Sequence, residues 1–86
     1  MKYRRKPDVR FRIVADEAVV VRQKDAEVIV LNEVGGRILE LIEERLDHDV
    51  LAERLADEFD SSVEQLASDV DQFLAQLVEA GVIEPV

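Results

Sequence analysis

The sequence predicts an α+β domain, a three-stranded antiparallel sheet followed by three helices. Three observations carry that expectation. The spacing of apolar residues changes once, near residue 32, from strand-like runs to the i, i+3, i+4 rhythm of helices. The runs before that point are rich in Val and separated by short turns, which suits an antiparallel meander. Apolar residues make up 48% of the 86 positions, enough for a folded core in a chain only long enough for one domain.

Each element has its own signature. Val9-Arg10-Phe11-Arg12-Ile13-Val14 alternates apolar and basic residues, the pattern of a half-buried strand. Ala15-Asp16-Glu17 reads as a turn, and Ala18 to Gln23 as a second strand with β-branched residues on both faces. Lys24-Asp25-Ala26 turns the chain into a third strand, Glu27-Val28-Ile29-Val30-Leu31. Asn32 is a good N-cap, and Val34, Ile38, Leu41, Ile42 and Leu46 keep helical spacing behind it. Gly35 and Gly36 in the first turn of that helix point to close approach to the sheet. Asp47-His48-Asp49 is a polar break before a second helix with Val50, Leu51, Leu55, Ala56 and Phe59 on one side. After Asp60-Ser61-Ser62, the pairs Ser62–Gln65 and Ser61–Glu64 have capping-box spacing. The third helix carries Val63, Leu66, Ala67, Val70, Phe73, Leu74, Leu77 and Val78, and Gly81 ends it, so that Val82-Ile83 can fold back onto the core. Residues 1–8 are expected to be a basic, solvated tail and residues 9–86 the domain.

Composition narrows the function. There is no Cys, one His and no Trp, so a thiolate metal site, a two-His site or a catalytic triad with its supporting groups has little to draw on. Aromatic residues are 5%, against a base-stacking platform. No stretch approaches the ~20 apolar residues of a membrane span, and no apolar core follows the basic Met1–Lys6 as a secretory signal would require. The expected location is the cytoplasm, with no membrane partner and no cofactor.

The net charge of −9 is unevenly spread. Residues 1–37 hold nine Lys/Arg against six Asp/Glu, whereas residues 38–86 hold two Arg against fourteen Asp/Glu. A sheet plus three helices invites a winged helix-turn-helix reading with duplex DNA as partner. Residues 63–80, however, contain Glu64, Asp69, Asp71 and Glu79 and no Lys or Arg, so entry into a phosphate-lined groove is electrostatically opposed. Nucleic acid is therefore not expected as a partner, and DNA binding is kept only as the alternative, beside an acidic protein–protein adaptor.

Two local motifs reduce to ordinary structure. Asp47-His48-Asp49 reads as a solvated turn, since consecutive turn residues rarely converge on one metal. Asp60-Ser61-Ser62 has the Asp-Ser order of acyl carrier proteins, but those are all-helical, and helix capping explains both serines. The third strand is more informative. In a meander it is an edge, and Val28-Ile29-Val30-Leu31 carries no charge to blunt it. Either the third helix covers this edge or a partner strand pairs with it by β-augmentation. Two such edges could also pair with each other, so both a monomer and a weak homodimer are open.

The chain resembles the PqqD family, also called the RiPP recognition element, from about Val9 to Ile83. The matching features are the three Val-rich strands, Leu31-Asn32-x-x-Gly35 running into Ile38-Leu39-x-Leu41, Leu51-Ala52-x-x-Leu55-Ala56-x-x-Phe59, Asp69-Val70-x-x-Phe73-Leu74-x-x-Leu77, and Ala80-Gly81-Val82-Ile83. The resemblance implies a winged helix-turn-helix-like fold used for peptide binding. It implies a non-catalytic domain that takes the leader of a ribosomally made precursor peptide as an added strand and delivers it to a modifying enzyme, such as a radical SAM enzyme. Carried over by position, Val28, Ile29, Val30 and Leu31 match the pairing strand. Leu66, Asp69, Val70 and Phe73 match the stretch of the third helix bordering the groove, with Leu66 and Val70 equally readable as core and Asp69 placed to meet a basic leader residue. The first strands differ in sequence from PqqD proper, and other peptide pathways use the same module.

Overall fold

The structure, a computed structural model, describes residues 2–59 and 62–86. Among these, the elements in chain order are β1 (Tyr3–Arg5), β2 (Val9–Val14), β3 (Glu17–Arg22), β4 (Glu27–Leu31), α1 (Glu33–Glu43), α2 (His48–Phe59), α3 (Val63–Glu79) and β5 (Ile83–Pro85). Strands β2, β3 and β4 form an antiparallel meander in that order, and β1 pairs with β5 in a separate two-stranded ribbon. The α+β expectation therefore holds, with the sheet first and three helices after it.

The β2–β3 connection is tighter than expected. Ala15 and Asp16 both have positive φ, 51° and 69°, which is what a two-residue type I′ turn demands. That turn pairs Val14 with Glu17, so the second strand begins at Glu17 and ends at Arg22 rather than spanning 18–23. Register then sorts the side chains into two faces. Val9, Phe11, Ala18, Val20, Ile29 and Leu31 turn inward, and Val9, Ala18 and Val20 are fully buried. Arg10, Arg12, Val14, Val19, Val21, Val28 and Val30 turn outward.

Helix α1 closes the inner face. The Asn32 side chain accepts the Gly35 N–H at 2.9 Å, the capping bond its position predicts. Gly36 meets β3 so closely that a Cβ there would stand 3.3 Å from both Ala18 Cβ and Ile13 Cδ1. The helix stops at Glu43, short of Leu46, because the chain reverses through Arg45 at φ 61°. Leu46 still packs on the core. Helix α2 starts earlier than its apolar pattern suggests. His48 and Asp49 form its first turn, and the Asp47 carbonyl accepts the Leu51 N–H. The His48 Nε2 stands 2.5 Å from Asp71 Oδ1 on α3, without hydrogen-bond alignment. Ser62 caps α3 by accepting the Gln65 N–H, whereas Ser61, the other expected cap, lies outside the described residues. Gly81 at φ 76° ends α3, and Val82 and Ile83 turn back fully buried.

The basic N-terminal segment is not a solvated tail. Residues 3–5 form β1, which pairs Tyr3 with Pro85, Arg4 with Glu84 and Arg5 with Ile83. Arg4 reaches the Glu84 carboxylate at 2.6 Å, and the Lys6 N–H donates to the Val82 carbonyl at 3.0 Å. Three residues, two of them basic, give no readable alternation. Their register comes from contacts with the far end of the chain.

Two expected outcomes follow. Ile83, the fully buried first residue of β5, should cost about 2–5 kcal/mol when replaced by Ala, read from urea unfolding. Arg37 on α1 binds Glu58 on α2 at 2.6 Å and holds its carboxyl below the usual glutamate range. A lowered folded-state pKa contributes stability above the ordinary value, and that contribution is lost as pH falls through the lowered one. With both side chains near 30% exposed, the pair is worth at most about 1 kcal/mol. Unfolding titrations of wild type and Glu58→Gln should differ by that amount at pH 7 and converge on acidification.

Candidate functional site

The turn at Ala15-Asp16 decides which backbone groups the sheet leaves free. A two-residue hairpin closes on a hydrogen-bonded pair, here Val14 and Glu17. Hydrogen-bonded pairs then alternate, so Glu17, Val19 and Val21 bond to β2, while Ala18, Val20 and Arg22 turn their backbone groups toward β4. Their register partners are Leu31, Ile29 and Glu27. By the same alternation, the N–H and C=O groups of Val28 and Val30 point away from β3, toward the outer edge of β4. No described strand pairs with that edge. Unlike most sheet edges, it has no Lys or Pro to protect it.

Helix α3 flanks this edge without sealing it. Phe73 comes against α1 and the end of β4. A Cβ on Gly35 would lie 2.4 Å from Phe73 Cζ and 3.0 Å from Leu31 Cβ. Only glycine leaves room for the ring in this position. Further along, α3 is tied to the other end of β4 through Arg22. Its guanidinium donates to the Ala80 carbonyl and to Glu27, and to Asp25 Oδ2 at 2.7 Å. That hydrogen bond holds the Asp25 carboxyl below its ordinary range. The helix thus runs antiparallel to β4, with Phe73 near Leu31 and Ala80 near Glu27.

The eight residues singled out in the sequence do not share one environment. Val28 and Val30 are each 58% exposed, Ile29 is half-buried and Leu31 is buried. On α3, Asp69 is exposed and Phe73 half-buried, one turn apart on the same side of the helix. Leu66 and Val70 are buried and belong to the hydrophobic core. Helical spacing continues the Phe73 side of α3 through Gln76 to Ala80, whose carbonyl Arg22 holds. Sequence reasoning missed that continuation and the role of Arg22. A signal for Arg22 existed: a single cation ending an apolar strand, with Asp25 and Glu27 just across the turn. Among the described residues, no group of three or more His, Asp or Glu side chains could hold a metal ion, and no helix is long and apolar enough to cross a membrane.

The Gly35–Phe73 contact makes a direct prediction. In Gly35→Ala the new methyl must displace the half-exposed ring, while the helix gains up to about 1 kcal/mol of propensity. Stability should therefore change by less than about 1 kcal/mol, and the Phe73 ring resonances should move in the NMR spectrum. Unmoved resonances would contradict the contact.

Known proteins fit this geometry. Residues 17–83 match the family described as "Coenzyme PQQ synthesis protein D (PqqD)". No curated protein matches the chain significantly. Among solved structures, TbiB1 in complex with the TbiA(beta) leader peptide superposes with a TM-score of 0.88 at 22% identity, over 96% of both chains. Lasso peptide synthetase B1 complexed with the leader peptide also gives 0.88, at 18% identity, over 99% of this chain and 100% of that one. At these identities the two structures establish a shared fold. The family match, spanning most of the sequence from β3 to the start of β5, settles the relationship: the chain belongs to the PqqD family.

Proposed function

We propose that this protein is a non-catalytic peptide chaperone of the cytoplasm. It takes the leader of a ribosomally synthesised precursor as a fourth strand on β4 and presents that precursor to a modifying enzyme, such as a radical SAM enzyme. The observation that carries the reading is the unpaired outer edge of β4, where Val28 and Val30 each offer a backbone donor and acceptor within the uncharged run Val28 to Leu31. Strand addition satisfies those four groups at once, and side chains opposite Ile29 and Leu31 enter the space beside Phe73. Membership of the family supports the reading, as does the leader peptide bound to each of the two similar structures. Asp69, exposed one turn before Phe73, is placed to attract a basic leader residue.

Val30→Pro tests it. The Val30 N–H plays no part in the β3–β4 ladder, and proline is tolerated on such an edge. The variant should keep its fold by circular dichroism. It should bind synthetic leader peptides, taken from short precursor genes neighbouring this one, at least tenfold more weakly. Unchanged affinity in a folded variant would place the peptide elsewhere.

A further inference from the structure

The outward face of the sheet breaks the usual pattern of an antiparallel sheet with one buried face. That face is normally polar. Here Val14, Val19, Val21, Val28 and Val30 occupy most of it, with Arg10 and Arg12 as the cations on β2, and no helix is packed over it among the described residues. A shallow hollow of about 270 Å³ lies on this side, over β2 and β3. Exposure across the face is graded. Val19 and Val21, flanked by strands on both sides, are half-buried, while Val28 and Val30 are 58% exposed. The two on β4 have Val21 and Val19 as cross-strand neighbours on one side and no described strand on the other.

Resting on the strand-addition reading above, we propose that the leader is read on both of its faces. Its inward side chains fill the space by Phe73, and its outward side chains are apolar or β-branched and pack against Val28 and Val30. Residues directly opposite one another across paired strands share a face, so every leader residue opposite Val28 or Val30 points outward. A leader recognised only through the groove would alternate apolar and free positions. This site instead selects a run of four or five consecutive apolar residues, the counterpart of Val28-Ile29-Val30-Leu31 itself. The row of valines continued by the bound leader then forms one apolar surface, of which the leader supplies the last strand.

The test is a display library of twelve-residue segments randomised at every position, selected against the full chain and against a Val28→Lys/Val30→Lys variant. Both substitutions sit on the solvent side of the sheet, and circular dichroism verifies that the variant is folded. Selection on the natural chain should enrich consecutive apolar residues. Selection on the variant should replace every second one with Asp or Glu and keep the inward positions unchanged. A synthetic consensus peptide with one outward residue changed to Lys should bind the natural chain up to about fivefold more weakly. Strict alternation of apolar and unconstrained positions, identical for both proteins, overturns the proposal while leaving strand addition intact. Failure to enrich any segment overturns both.

Discussion

At Gly36 the first turn of α1 lies so near β3 that a methyl group would press on Ala18 and Ile13. The placement of the open β4 edge follows from this approach. The chain passes from β4 into α1 through a single capping residue, Asn32, so the helix has no slack in which to find another position. With α1 held against the sheet, the neighbouring Gly35 leaves a gap that Phe73 fills, and Phe73 sets the line of α3 along β4. Two adjacent glycines therefore do different work on opposite sides of one helical turn: one admits the sheet and the other admits an aromatic ring.

Charge has a positioning role here. Arg22 joins the hairpin that ends in β4 to the carbonyl that ends α3, and Arg37 joins α1 to α2. The acidic excess lies on the helices. Helix α3 has no cation with which to approach phosphate.

Much of this fold was legible because its signals are local. Ser62 and Gly81 mark the ends of α3 by chemistry that needs no knowledge of the remainder of the chain. The strands of the meander and the uncharged run Val28 to Leu31 were readable for the same reason. What stayed hidden depends on distant partners. Strand β1 exists through its pairing with β5, and nothing within Tyr3-Arg4-Arg5 announces it. The type I′ turn is built from Ala15 and Asp16 rather than from the Asn-Gly that usually signals it, so the direction of the free backbone groups could not be deduced. Leu66 and Val70 share helical spacing with Asp69 and Phe73. A periodicity shared by buried and more exposed positions cannot separate them, and only burial does.

The two sheets also differ in when they can form. The meander needs loops of two and four residues, whereas Arg4 and Glu84 in the β1–β5 ribbon are 80 positions apart. The entropy of closing a loop rises with its length, and contacts of long sequence separation are the slow ones. Topology thus assembles the three-stranded sheet first and closes the ribbon last. In a chain growing from its N-terminus, β4 is complete before any residue of α3 has been made. During that interval the bare apolar edge is at its most adhesive, and each nascent chain passes through a stage in which this open edge is its greatest hazard of mispairing.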